Sequence, residues 1–161
     1  MNRVRKILVP VNFSEDSANE LKYAASLAEE RQAELVVLHV TQKEEARSFL
    51  SFLAVMEGWP CLDTPTVIPV DRLVREKALD LYRFIEKVIR NPGRVKIIRK
   101  IALGHEEDKI LSVAREENID LVVLGIQHKS VFSNLMTRAK FLNIMSRLPC
   151  PVLLKPAFGK P

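Results

Sequence analysis

Residues 6–40, KILVPVNFSEDSANELKYAASLAEERQAELVVLHV, give the clearest indication of the fold. An apolar run stands at each end, Lys6–Val11 and Glu34–Val40, and both runs are rich in β-branched residues. Apolar runs that do not alternate with polar residues are typical of parallel strands that are covered on both faces. The segment between the two runs has the spacing of a helix, so the stretch predicts a strand, a helix and a second strand.

The helix between these strands carries its own start signal. Ser17 and Glu20 form a capping-box pattern, in which a hydroxyl and a carboxylate satisfy the first free N–H groups of a helix. The residues that follow line one helical face with small and apolar side chains: Leu21, Ala24, Ala25 and Ala28.

Apolar runs recur along the rest of the chain. They predict strands at Val95–Ala102, Leu121–Leu124 and Val152–Leu154. The first of these runs is more polar, as suits a strand near a sheet edge. Together with the two earlier strands, they predict an α/β fold with an open, doubly wound, five-stranded parallel sheet of the Rossmann-like type.

Helical segments separate these later strands. Acidic residues at Glu106–Asp108 suit the positive end of a helix dipole. Another helix is predicted over residues 137–146, where Pro149 and Pro151 close it off. The remaining helix is indicated by apolar residues at alternating steps of four and three: Val74, Ala78, Leu81, Ile85 and Val88.

One connection between a predicted strand and the next predicted helix is unusually long. Residues 41–70 are longer than a normal connection and include EEARSFLSFLAVMEG, which predicts a helix over residues 44–58. That helix either folds back over the domain's own core or serves as a lid or as a docking surface for a protein partner. We interpret residues 1–161 as a single domain with a helical insertion at about 42–70.

The composition disfavours nucleic-acid-binding, membrane and secreted proteins. The chain has 161 residues, 47% hydrophobic content and a net charge of +5. Basic residues are mixed with acidic ones and no nucleic-acid-reading module accompanies them, so non-specific nucleic-acid binding is the least favoured function. No run is long enough to cross a membrane, and the N-terminus reads as a strand rather than a signal peptide. We expect a cytoplasmic protein.

The chain lacks the sequence patterns of common catalytic and metal sites. It has no nucleophile elbow and no Walker A lysine motif. Its three histidines and two cysteines do not stand at metal-ligand spacing. His39 lies within a strand, where a packed imidazole is the better interpretation. These features predict a protein that is not an enzyme and has no metal.

Three segments resemble the universal stress proteins of the UspA type. They are residues 6–40, GHEEDKILSVAREENIDLVVLG at 104–125 and SRLPCPVLLKP at 146–156. The resemblance implies a sheet with strand order 3-2-1-4-5 and a nucleotide crevice at the carboxyl ends of strands 1 and 4, where ligands of open α/β sheets bind. In this sequence those ends are Pro10, Val11 and Asn12, and Gly125 onward.

The loop that would hold phosphate departs from the family pattern. Nucleotide-binding members carry Gly-x-x-Gly, a longer spacer, and then Gly followed by Ser or Thr. Gly125 matches the first glycine, but His128 and Arg138 stand at the other two, and Ala139 replaces the hydroxyl. Glycine lets backbone N–H groups approach a phosphate closely, whereas these larger side chains would occupy its volume.

Other positions of the pattern are retained wholly or in part. Lys129 and Ser130 fit the basic residue and hydroxyl that follow the second glycine, and Val40 fits the residue beside the base. Asn12 stands where an aspartate usually contacts the adenosine end, so it keeps an acceptor but loses the charge. Because Lys129 and Arg138 add positive charge, the loop could instead capture a different anion.

We therefore expect a non-catalytic binding or regulatory module of the stress response, without a tightly bound cofactor. The alternative is an ATP-dependent switch or weak ATPase, in which ATP or another adenine nucleotide binds weakly in the same crevice. The resemblance implies a homodimer through Val152–Lys155, although Pro151 and Pro156 limit pairing at that edge. The helix at 44–58 is a second candidate surface for a protein partner.

Overall fold

Strands and helices alternate along the chain, as predicted. The computed structural model describes residues 3–42, 70–126 and 135–156. The strands are β1 (Lys6–Pro10), β2 (Glu34–Thr41), β3 (Ile97–Leu103), β4 (Leu121–Ile126) and β5 (Val152–Pro156). The helices of the described ranges are α1 (Glu15–Arg31), α2 (Val70–Val88), α3 (Glu106–Glu116) and α4 (Leu135–Arg147).

The sheet has the predicted class and strand order. Within the described residues it is five-stranded, in the order β3-β2-β1-β4-β5, and every neighbouring pair is parallel. The chain starts at the centre, runs outward to β3, and then crosses to β4 and β5. The strand order therefore reverses between β1 and β4. The more polar β3 lies at an edge, as its sequence predicts.

Two apolar layers, one on each face of the sheet, explain the unbroken apolar runs. Ile7 and Val9 join a buried cluster with Leu21 of α1 and Leu81 of α2. Leu8, which lies between them in sequence, joins the other cluster, with buried residues of α3 and α4. Successive side chains of a strand point to opposite faces, so a strand covered on both faces needs apolar residues throughout.

The start of α1 differs from the prediction by one turn. The N-cap is Ser14, whose hydroxyl accepts a hydrogen bond from the N–H of Ser17 at 3.1 Å, and the helix begins at Glu15. The predicted capping box at Ser17 and Glu20 is therefore wrong. Ser17 is already in the helix, and its buried hydroxyl bonds back to Asn12 instead.

The buried face of α2 is also rotated from the predicted one. Leu81 and Ile85 are buried as expected, but Leu73 is buried with them and Ala78 is exposed. The helix begins at Val70, and the predicted insertion before it, including the helix at 44–58, lies almost wholly outside the described residues. No helix in the described ranges is long and apolar enough to span a membrane.

Candidate functional site

The crevice arises where β1 and β4 stop pairing. These strands pair at two successive positions, the second of which joins Leu8 to Val122. Beyond it, β1 continues beside β2 as far as Pro10, while β4 continues beside β5 as far as Ile126. The carboxyl ends of β1 and β4 therefore part at the point of reversed strand order, which is where open α/β sheets bind ligands.

The loop after β1 is held together by Asn12. Its side-chain oxygen accepts two hydrogen bonds, from the N–H of Ser14 at 3.1 Å and from the hydroxyl of Ser17 at 2.9 Å. Its own backbone N–H donates to the Ser17 hydroxyl at 2.8 Å. Because a carbonyl oxygen has two lone pairs, both acceptor sites of Asn12 are used inside the loop.

Asn12 therefore differs from the expectation drawn from its sequence position. The expected acceptor exists, but the loop itself occupies it. The side chain is exposed, and the polar group that it has left for a ligand is the amide NH₂, a donor. The Asn12 side chain therefore offers a ligand a hydrogen-bond donor and not an acceptor.

An aromatic stack supports this loop from inside the protein. Phe13 has a left-handed backbone with φ of 64°, and its ring lies 4.1 Å from the ring of His39 and 5.4 Å from that of Phe84. His39 is 5% exposed, and its Nδ1 lies 2.9 Å from the carbonyl oxygen of Val11. That oxygen can only accept, so Nδ1 carries a proton. His39 is the packed imidazole that the sequence predicts.

Val40 forms an apolar wall beside Asn12, whereas Val11 packs into the cluster on the α1 and α2 face. Val11 is buried, and its N–H donates to the carbonyl of Leu38 at 2.8 Å. Since Pro10 pairs with Leu38, the register places Val40 level with Asn12 on the neighbouring strand. Val40 is half-buried and packs against the cluster on the α3 and α4 face.

The opposite wall contains a residue that sequence reasoning missed. The half-buried carboxylate of Glu20, from α1, lies directly on Gly125 of β4. A Cβ at position 125 would overlap this carboxylate, and the backbone N–H of Gly125 donates a hydrogen bond to it. Gly125 is thus needed here for a close approach between a strand and a side chain.

Burial and neighbouring charges shift the pKa of Glu20 in opposite directions. Its pKa is raised from 4.5 to about 7, first by burial, then by the carboxylate of Asp16 and, less strongly, by Glu106. The hydrogen bond from Gly125 and the ammonium of Lys155 lower the pKa but do not offset this rise. Glu20 therefore exists in both protonation states near neutral pH.

Lys155, on the edge strand β5, is held in place near Glu20. Its Nζ donates to the backbone carbonyl of Asn19 at 2.9 Å and lies 5.6 Å from the centre of the Tyr23 ring. Since Gly125 pairs with Lys155 across β4 and β5, the strand pairing and α1 together hold the ammonium near Glu20.

The remaining predicted site residues stay predictions. His128, Lys129 and Ser130 lie outside the described residues. The backbone of Arg138 belongs to α4, as does Ala139, which is exposed. Within the described ranges, no three His, Cys, Asp or Glu side chains come together as metal ligands would.

Comparison with known proteins identifies similar chains. The model of the Universal stress protein family matches residues 3–156. Universal stress protein MJ0577 of Methanocaldococcus jannaschii is 26% identical over 153 residues, which cover 93% of this chain and 93% of that protein. The solved structure of MJ0577 has a TM-score of 0.67 at 21% identity and covers 99% of this chain and 100% of that one.

Two similar structures contain nucleotides. One is a universal stress protein in complex with cAMP, with a TM-score of 0.64 at 16% identity, covering 96% of this chain and 98% of that one. The other is the universal stress protein from Archaeoglobus fulgidus in complex with dAMP, with a TM-score of 0.58 at 17% identity, covering 95% of this chain and 98% of that one. At these identities the likeness shows the fold alone.

Proposed function

This chain belongs to the universal stress protein family, and we propose that it is a non-catalytic binding and regulatory module of the stress response that does not bind ATP tightly. The crevice between the ends of β1 and β4 is its binding site. Similar proteins solved with cAMP and dAMP support an adenine-containing ligand as the class to test.

The observation that supports weak binding of ATP is the hydrogen bonding of the Asn12 side chain. An aspartate at this position could hold Ser14 and Ser17 with one oxygen and offer the other, with its charge, to a ligand. Asn12 uses its oxygen for both serines and offers an NH₂ group. Losing one charge-assisted hydrogen bond costs about 1.5–3 kcal/mol. That cost corresponds to roughly a tenfold to hundredfold loss of affinity.

Calorimetry with ATP tests this proposal. We expect the wild-type protein to bind ATP with a dissociation constant of about 0.1 mM or weaker, and Asn12→Asp to bind it about tenfold more tightly. Asn118→Asp is the matched control, because Asn118 is exposed and precedes β4, at the amino-terminal ends of the strands and so opposite to the crevice. Low-micromolar binding of ATP by the wild-type protein would overturn the proposal.

The second candidate function is an ATP-dependent switch or weak ATPase that uses the same crevice. The structures of similar proteins with cAMP and dAMP favour it over unrelated activities. Nucleotide that stays with the protein through purification, detected by mass spectrometry after denaturation, would support this second candidate. Release of phosphate from ATP, abolished by a change in the crevice, would separate an ATPase from a switch.

A further inference from the structure

Glu20 makes contact with the same backbone that a phosphate would need. Gly125 matches the first glycine of the family's phosphate loop, and its N–H is a natural donor to an anion. In this chain the N–H donates to the carboxylate of Glu20, which also fills the space beside the glycine. A phosphate at Gly125 would have to displace this carboxylate or lie against it.

The charges around Glu20 oppose an anion as well. Asp16 faces it from α1 and Glu106 from α3, and both add negative charge. Lys155 of β5 supplies the opposing positive charge, but its ammonium already bonds to the carbonyl of Asn19. Two unit charges about 5 Å apart interact by several kcal/mol at the dielectric of a protein surface, so the ionised cluster would repel a phosphate strongly.

We propose that Glu20 sets the ligand class of the crevice: when ionised, it excludes phosphate groups from Gly125, so the crevice takes a nucleoside in preference to a nucleotide. This inference rests on the proposed function, because it assumes that the crevice is the binding site. A nucleoside can pack against half-buried Val40, which belongs to the α3 and α4 face of the sheet, whereas Glu20 reaches Gly125 from α1 on the other face. Protonation of Glu20 near neutral pH removes its charge and relaxes the exclusion.

Binding of adenosine and AMP to the wild-type protein and to Glu20→Gln, measured by calorimetry, tests the proposal. These ligands differ by one phosphate, and glutamine keeps the size of the side chain and an acceptor for Gly125. At pH about 8, above the titration of Glu20, we expect AMP to bind Glu20→Gln at least about tenfold more tightly than wild type. Adenosine should bind both proteins equally. Glu30→Gln, an exposed change on α1, should behave as wild type.

The pH dependence adds a second measurement. On going from pH about 8 to about 6, the affinity for AMP should rise more in the wild-type protein than in Glu20→Gln, since the titration of AMP itself is common to both. Equal AMP affinities of the folded wild-type protein and folded Glu20→Gln would overturn the role of Glu20. If adenosine still binds in that case, the crevice remains a binding site. If neither ligand binds either protein, both this inference and the binding role of the crevice fail.

Discussion

At the scale of single residues, helical spacing explains why Glu20 lies where it does. It is three residues after Ser17 and four before Ala24, both of which are buried on the inner face of α1. Residues at these spacings share a helix face, so the Glu20 side chain is directed toward the sheet. Burial there disfavours the ionised carboxylate, which is the main cause of its raised pKa.

The raised pKa of Glu20 predicts how stability varies with pH. The folded protein binds this proton with a pKa of about 7, against 4.5 in the unfolded chain. The folded state therefore loses stability as pH rises between these two values. Glu20→Gln removes the loss, so we expect this variant to be more stable than wild type above pH 7 by about 1 kcal/mol, after discounting for solvent.

Thermal unfolding at several pH values measures this effect. A gain of about 1 kcal/mol corresponds to a rise in Tm of roughly 2–4 °C for a domain of this size. The difference between Glu20→Gln and wild type should shrink as the pH falls and vanish below about 4.5. An equal difference at every pH would show that the charge of Glu20 is not its cause.

The sequence identifies some parts of the site and not others. Asn12 and Gly125 are found by resemblance, because they follow strands at recognisable positions. The sequence pattern places Glu20 in a capping box, because local spacing does not reveal which strand a helical side chain will meet. Its contact with Gly125 links positions far apart in the chain and depends on the packing of α1 against β4.

At the scale of elements, two serines are candidates for the N-cap of α1. Both Ser14 and Ser17 follow the first strand and can act as caps, so the sequence pattern is compatible with either. The hydrogen bonds of Asn12 decide between them, since they draw the hydroxyl of Ser17 inward. The strands are easier to predict, because burial on both faces leaves a continuous apolar run that none of the described helices shows.

Removing the cap should therefore destabilise the protein. Ser14→Ala leaves the N–H of Ser17 without its side-chain acceptor, and we expect a loss of about 1 kcal/mol in the free energy of unfolding, measured with urea. Ser26→Ala is the control, because that exposed hydroxyl bonds to the carbonyl of Lys22 within the same helix. Equal losses in the two variants would contradict a capping role for Ser14.

At the scale of the whole molecule, the two edges of the sheet differ. β3 carries the charged residues Arg99 and Lys100, and Arg99 lies 5.0 Å from the centre of the Tyr82 ring. Charged side chains protect an edge from pairing. β5 is short and carries one charged residue, Lys155, and no other described strand lies beyond it. The strand order and both edges follow from the sequence and its family, whereas the single-domain organisation of residues 1–161 stays a prediction.

We expect a homodimer through the outer edge of β5, at Val152–Lys155. The carbonyl of Pro151 accepts from the N–H of Val122 at 3.1 Å, so the backbone of Pro151 faces β4 and that of Val152 faces outward. Val152→Pro would remove an outward donor at the first residue of the strand, where proline is tolerated. Because a two-fold interface repeats every contact, this change should weaken the dimer by about tenfold or more.

Sedimentation velocity over a range of concentrations measures this dissociation. Val152→Ala is the matched control, since it shortens the same side chain but keeps the N–H. A monomer mass at every concentration for the wild-type protein would contradict the expected dimer. Equal dissociation constants for the two variants would place the interface elsewhere, and the segment at 44–58 would then be the next surface to test.

Lys155 belongs both to the outermost strand and to the surroundings of Glu20. Anything that pulls its ammonium outward removes a counter-charge, and Glu20 then retains its proton at higher pH. Linkage is reciprocal, so protonation of Glu20 in turn frees Lys155 for contacts outside the molecule. Through Lys155, the protonation of Glu20 and the binding of a partner at the edge strand β5 would each affect the other.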